Sequence, residues 1–224
     1  MPGPRATVAV PRGHRRGKAP LGEITRGKTA GNRLRRLDLY LLRCGRDLLR
    51  ADSGELARAP FVDLGYGRLP VTTLQSAALL RRLRPDLPVL GVEVDPLRVL
   101  AAQPASDALT RFVLGGFDLP LGDGPRARIV RAMNVLRQYE EPAAEAAWAL
   151  MGQRVAVGGL VLEGTCDPSG RRGAVLVARK EAEGLRLLGL LCLVSPRGAE
   201  AFEPGQLQGV LPKLLVHHVV PGQP

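Results

Sequence analysis

Residues 61–67 read F-V-D-L-G-Y-G. Phe61 to Leu64 is a short apolar run carrying one acid, and it stops at two glycines one residue apart. From Val71 to Arg84 the apolar residues recur at helical spacing. Strand, glycine turn and helix in that order open a βαβ unit; without Cβ atoms the turn can bend sharply and approach a ligand. Glu93 lies at the end of the next apolar run, Val89 to Val94, 26 residues past Gly67. In a doubly wound sheet the carboxyl ends of neighbouring strands border one crevice. A carboxylate at that point can accept from both hydroxyls of a ribose, and hydrogen bonds to a charged group contribute roughly 1.5 to 3 kcal/mol.

The alternation continues outward. Pro96 to Ala102 has a helical pattern, Arg111 to Leu114 is a third apolar run, Ile129 to Val135 a fourth and Gly158 to Gly164 a fifth, with an Ala-rich helical stretch from Pro142 to Val155 before the last. Strands separated by helices predict a mainly parallel sheet. After Thr165 the alternation ends. Ala174 to Arg179 and Leu185 to Val194 are apolar runs joined by K-E-A-E-G, which predicts a β-hairpin at a sheet edge. The expected fold is α/β: a Rossmann-like, doubly wound, mainly parallel sheet with an antiparallel C-terminal β-hairpin and an N-terminal basic helical extension.

The extension is where the charge sits. Of the net +11, residues 1–50 hold 13 Arg/Lys against three acids, +10, leaving +1 for the rest. Residues 1–20 are rich in Pro, Gly and Arg and are expected to form a disordered basic tail. Residues 21–57 form a basic loop and an amphipathic helix, with Leu34, Leu37, Leu41, Cys44 and Leu48 on one stripe and Asn32 as N-cap. Residues 58–224 form the Rossmann-like domain. Such a basic element attracts nucleic acid, a phosphorylated substrate or an acidic surface. No apolar stretch approaches the roughly 18 to 20 residues of a membrane span, so no membrane partner is expected. Cys44, Cys166 and Cys192 lie far apart with no metal-ligand spacing, which predicts free thiols and no metal. The Arg-, Ala-, Gly- and Pro-rich composition fits a GC-rich coding sequence, and a bacterial cytoplasm is the expected setting.

A second glycine loop competes for attention. G-E-I-T-R-G-K-T at 22–29 matches G-x-x-x-x-G-K-[ST], the phosphate-cradling loop of nucleotide-binding enzymes. That loop needs a buried strand before its first glycine, and the preceding R-G-H-R-R-G-K-A-P-L cannot supply one. A P-loop enzyme remains the alternative reading. The loop is otherwise expected to lead into the N-terminal helix and to cover the site.

The first loop lacks the third glycine of dinucleotide-binding turns, Pro70 standing in its place. An acid before the first glycine suits a ligand with a positive centre. V-D-L-G-Y-G (62–67) with G-V-E-V-D-P (91–96) resembles the first two motifs of class I S-adenosylmethionine-dependent methyltransferases. G-G-F-D-L-P-L (115–121), R-A-M-N-V-L-R-Q-Y (131–139) and G-G-L-V-L-E-G (158–164) resemble later motifs of that family. The resemblance, over residues 58–195, implies S-adenosyl-L-methionine as cofactor and S-adenosyl-L-homocysteine as product. It implies Gly65 and Gly67 along the methionine part, Asp63 near its amino group and Glu93 on the ribose. Phe117 and Asp118 would border the adenine, and Asn134 would lie beside the sulfonium.

The acceptor, a small molecule or a nucleic acid, is not named by any motif. Arg26 and Lys28 in the basic loop, and Arg137 and Tyr139 after the fourth run, are the candidate acceptor-binding residues. Glu163, Cys166 and Asp167 also lie near strand ends. No general base is identified, and a non-catalytic nucleoside-binding module is a further alternative.

Overall fold

The computed structural model describes residues 20–25, 29–195 and 204–216. Seven strands form one sheet in the order β3-β2-β1-β4-β5-β6-β7. They are β1 (Phe61–Leu64), β2 (Val89–Glu93), β3 (Thr110–Leu114), β4 (Ala127–Met133), β5 (Val155–Cys166), β6 (Arg172–Lys180) and β7 (Leu185–Val194). The first five pair in parallel, and β6 and β7 are antiparallel to their neighbours. This is the Rossmann-like sheet with the edge hairpin that the apolar runs predict. The strand order reverses after β1, between β2 and β4, where open α/β sheets bind ligands.

The helices are α1 (Arg35–Cys44), α2 (Arg46–Arg50), α3 (Val71–Leu80), α4 (Pro96–Ala102), α5 (Glu141–Gln153) and α6 (Lys213–Val216). Two faces of the sheet carry separate cores. One packs Phe61, Ile129, Leu160 and Leu162 under Leu37, Leu41 and Leu80 of α1 and α3; the other packs Val62, Val130 and Val161 under Ala144, Ala147 and Met151 of α5. The β3–β4 connection holds no helix. Residues 115–126 cross that second face as irregular chain, burying Phe117 and Leu119. A cavity of about 290 Å³ lies beside this crossing, lined by Leu90, Val113 and Leu121 with Arg58 and Arg111. It borders the amino-terminal half of the sheet, away from the strand ends where such folds do chemistry.

The N-terminal helix differs from its expected form. Asn32 adopts φ +62° and its carbonyl accepts from the Arg35 N–H, so the helix starts two residues later than an Asn32 cap would set it. Gly45 then interrupts it. A Cβ there would lie 2.9 Å from the Leu41 carbonyl oxygen, and after the break the stripe slips by one residue. Leu49 is therefore fully buried, Leu48 is half-buried, and Cys44 is exposed. Two of the basic side chains face the protein rather than solvent: Arg33 donates to the Cys166 and Asp167 carbonyls and Arg36 to that of Gly170. Residues 1–19, all but the last residue of the expected basic tail, lie outside the described residues. Among the described residues, no helix is long and apolar enough to cross a membrane, and no group of three or more His, Cys, Asp or Glu is arranged for a metal.

Candidate functional site

The glycine turn and Glu93 converge. Glu93 is fully buried at the end of β2, and its Oε2 accepts from the Gly67 N–H at 2.9 Å. Oε1 accepts from the N–H groups of Val94 at 3.0 Å and Asp95 at 3.3 Å. Arg98, in the first turn of α4, stands 3.6 Å from Oε2 and 3.4 Å from the Asp95 carboxylate. The turn requires glycine: Gly65 and Gly67 hold φ of +70° and +82°. Cβ atoms there would lie 2.6 Å from a Val135 methyl and 2.7 Å from the Thr29 hydroxyl.

Residues 20–25 lie across this crevice as a strap. The Leu21 carbonyl accepts from the Phe117 N–H at 3.0 Å, and a Cβ on Gly116 would fall 1.9 Å from that same oxygen. Gly22 (φ +149°) rests against Val94, Tyr139 and Phe117. The Glu23 N–H donates to the Tyr139 hydroxyl, and its carbonyl accepts from Gln138 at 3.0 Å. Arg98 donates to the Thr25 hydroxyl at 3.2 Å and to its carbonyl at 2.9 Å. Beyond residues 26–28, Thr29 donates to the Tyr66 carbonyl at 3.0 Å. Two small cavities flank the strap. One of about 40 Å³ is lined by Thr25, Thr29, Asp63, Gly65, Gly67 and Asn134. The other, about 10 Å³, is lined by Leu21, Glu93, Gly116, Phe117, Val135 and Tyr139. Ligand pockets run from about 300 to 1,000 Å³, so neither holds a nucleoside while the strap lies there. The chemistry of the walls fits one: a carboxylate at a strand end, a glycine cradle, and Phe117 edge-on to Tyr139 with ring centres 5.3 Å apart.

Asp63 lines the first cavity, but its charge is already paired. Register puts it opposite Arg131 of β4. Arg131 Nε donates to Oδ1 at 2.9 Å and Nη2 lies 2.8 Å from Oδ2, while Thr73 donates to Oδ2 at 2.6 Å. The same guanidinium donates to Asp38 of α1 at 2.7 Å, with Ser76 bonded to both. Burial works against the Arg131 charge, and Asp63 and Asp38 more than offset it, so its pKa stands above the usual arginine value. Burial raises the Asp38 carboxyl, and Arg131 and Ser76 pull it back only in part. Asn134, at φ +61°, uses its amide on β5: Oδ1 accepts from the Cys166 N–H at 3.1 Å and Nδ2 reaches the Cys166 sulfur at 3.6 Å. It still lines the larger of the two small cavities.

The remaining candidates divide. Phe117 is buried on the second cavity, whereas Asp118 is exposed and lines neither. Tyr139 holds the strap, and Arg137 donates to the Gly209 carbonyl. Arg26 and Lys28 lie outside the described residues. The described parts of the Gly22–Thr29 loop, preceded by no strand in residues 20–22, belong to the crevice of the other turn. Glu163 and Thr165 stand apart: both carboxyl oxygens and the hydroxyl are buried without a hydrogen-bond partner, and burial pushes the Glu163 pKa up to about 8.

Sequence reasoning missed Arg98, Thr25, Thr29 and Arg131. Arg98 was findable, since Asp95-Pro96 starts a helix and its third residue can reach back to the strand end. Arg131 had a signal too, a cation inside an apolar run that is buried throughout its length.

No family model matches the chain, and no curated protein matches it. Among solved structures, the citrinin polyketide synthase CMeT domain is similar over 61% of this chain and 36% of that one, at 16% identity and a TM-score of 0.47. The plantazolicin methyltransferase BpumL, solved with a desmethyl analogue and S-adenosylhomocysteine, is similar over 61% and 48%, at 9% identity and 0.44. A structure described as a pericyclic reaction enzyme is similar over 54% and 30%, at 19% identity and 0.42. The match spans less than half of each of those chains, and the likeness concerns the fold alone.

Proposed function

We propose that the crevice between the Gly65–Gly67 turn and Glu93 binds S-adenosylmethionine, and that the chain passes its methyl group to an acceptor. The convergence of Glu93 on the turn, 2.9 Å from the Gly67 nitrogen, carries this reading. Glu93 would take the ribose hydroxyls, and Phe117 would lie against the adenine, with Asp118 at its rim. Gly65, Gly67 and Asn134 would line the methionine end, where Asp63, neutralised by Arg131, would stiffen the turn. Bound there, a sulfonium supplies a methyl carbon that is already electrophilic. The chain's part is to orient that carbon toward a nucleophile and to exclude water. Tyr139 and Arg137, one strand end away, would face the acceptor, joined by Arg26 and Lys28; the acceptor is a small molecule or a stretch of nucleic acid.

Thermal unfolding with S-adenosylmethionine, S-adenosylhomocysteine, NAD and ATP tests the reading. A ligand at about 100 times its dissociation constant adds about 2.7 kcal/mol, or roughly 5 to 10 °C for a chain of this length. The two sulfur nucleosides are expected to shift the melt, and Glu93→Ala to abolish the shift. A shift with ATP that Lys28→Ala removes would instead establish the P-loop alternative. The filled crevice favours a second reading, a scaffold that keeps the fold without the chemistry, in which neither sulfur nucleoside shifts the melt.

A further inference from the structure

We propose that residues 21–25 are an internal competitor for the nucleoside crevice, latched by Arg98, and that ligand binding exchanges the strap outward. This rests on the nucleoside reading above.

Three observations carry it. First, the strap occupies walls assigned above to the adenine and to the acceptor. The Leu21 carbonyl takes the Phe117 N–H, the Glu23 N–H takes the Tyr139 hydroxyl, and Gly22 lies on the Phe117 ring. Second, the Glu93 carboxylate is already surrounded, by three backbone N–H groups and the Arg98 guanidinium. A carboxylate offers about four lone-pair sites, so ribose hydroxyls reach Oε2 as Arg98 leaves it. Arg98 also holds Thr25 through its hydroxyl and its carbonyl. The group that the hydroxyls displace is therefore the group that fastens the strap.

Third, the strap is built to leave. Its apolar side chains are only half covered, with Leu21 49% and Ile24 51% exposed. It holds by backbone hydrogen bonds and by the buried Thr25 rather than by buried apolar side chains of its own. Gly22 adopts a φ that side-chain-bearing residues rarely take, so the seated form depends on glycine there. A site that is free only part of the time binds with an affinity reduced by that fraction.

Hydrogen exchange on the full chain tests this, with S-adenosylhomocysteine as probe. The ligand is expected to speed exchange over residues 20–25, the Glu23 amide above all. Arg98→Ala and Gly22→Val are expected to speed the same amides without ligand. They should also tighten S-adenosylhomocysteine binding by roughly threefold to tenfold, the released fraction of the site being the gain. Gly22→Val alters neither Glu93 nor Arg98, so it separates loss of the strap from damage to the carboxylate site. Greater protection of residues 20–25 with ligand would overturn the proposal, since the strap would then close over the nucleoside. So would weaker or unchanged binding by Gly22→Val. If the wild type and both variants fail to bind the probe, the nucleoside reading itself falls.

Discussion

Asp63 and Glu163 are both carboxyls buried within the sheet, and the chain treats them in opposite ways. Asp63 stands in register with Arg131, so a guanidinium lies beside it on the same face. Glu163 stands in register with Ala132 on one side and Leu176 on the other, and its oxygens meet no donor. The two rows differ by one residue along β4. Because strand side chains alternate between faces, that single step decides whether a buried carboxyl finds a cation or a methyl group. Asp63 is held against a guanidinium inside a network that reaches α1. Glu163 is held in the acid form.

The sharpest break of this contrast is Arg131→Met. It leaves Asp63 and Asp38 buried without their cation and should cost about 3 to 5 kcal/mol, lowering the melting temperature by roughly 10 °C. Denaturant unfolding measures the loss. Glu163→Met should act in the other direction. The Glu163 carboxyl titrates near 4.5 in an open chain and at about 8 in the fold, so the folded protein holds a proton that the unfolded one releases. Its contribution to stability is therefore complete below about pH 4.5 and is lost as the pH climbs to about 8. The variant should remove that slope and stabilise the chain at pH 8 by roughly 4 kcal/mol. A melting profile from pH 5 to 9 with the same slope in both proteins would refute it. The smallest effects come from two near-isosteric changes. Thr73→Val removes a hydroxyl that donates to Asp63 and should cost about 1 to 2 kcal/mol. Thr165→Val removes a hydroxyl with no partner and should be neutral or slightly stabilising.

Much of the fold could be read from local pattern. Phe61–Leu64 coincides with its apolar run, and Val89–Glu93 and the β6–β7 hairpin lie within a few residues of theirs. Each was marked by glycine turns and by the change from helical to strand spacing. Glu93 could be read as well, because a strand end fixes where a carboxylate goes. The pairing of Asp63 with Arg131 could not. The two residues are 68 positions apart, and only the register of β1 on β4 makes them neighbours. The strap was legible as a loop that covers the site, but its depth was not. Its hold comes from backbone groups of Leu21, Glu23 and Thr25, which leave no trace in side-chain chemistry. The slip at Gly45 went unseen for a similar reason, since a glycine inside an amphipathic pattern does not say whether the helix runs through it.

Asp38 brings the N-terminal helix into the electrostatics of the sheet, and this has a bearing on ancestry. Positions 38, 63 and 131 can drift only as a set. A descendant that replaced Arg131 alone would carry two stranded acids, and one that lost the helix would leave Arg131 with a single counter-ion. Helix and sheet are therefore expected to be inherited as one block, and homologues in which any of the three has changed should show the other two changed with it.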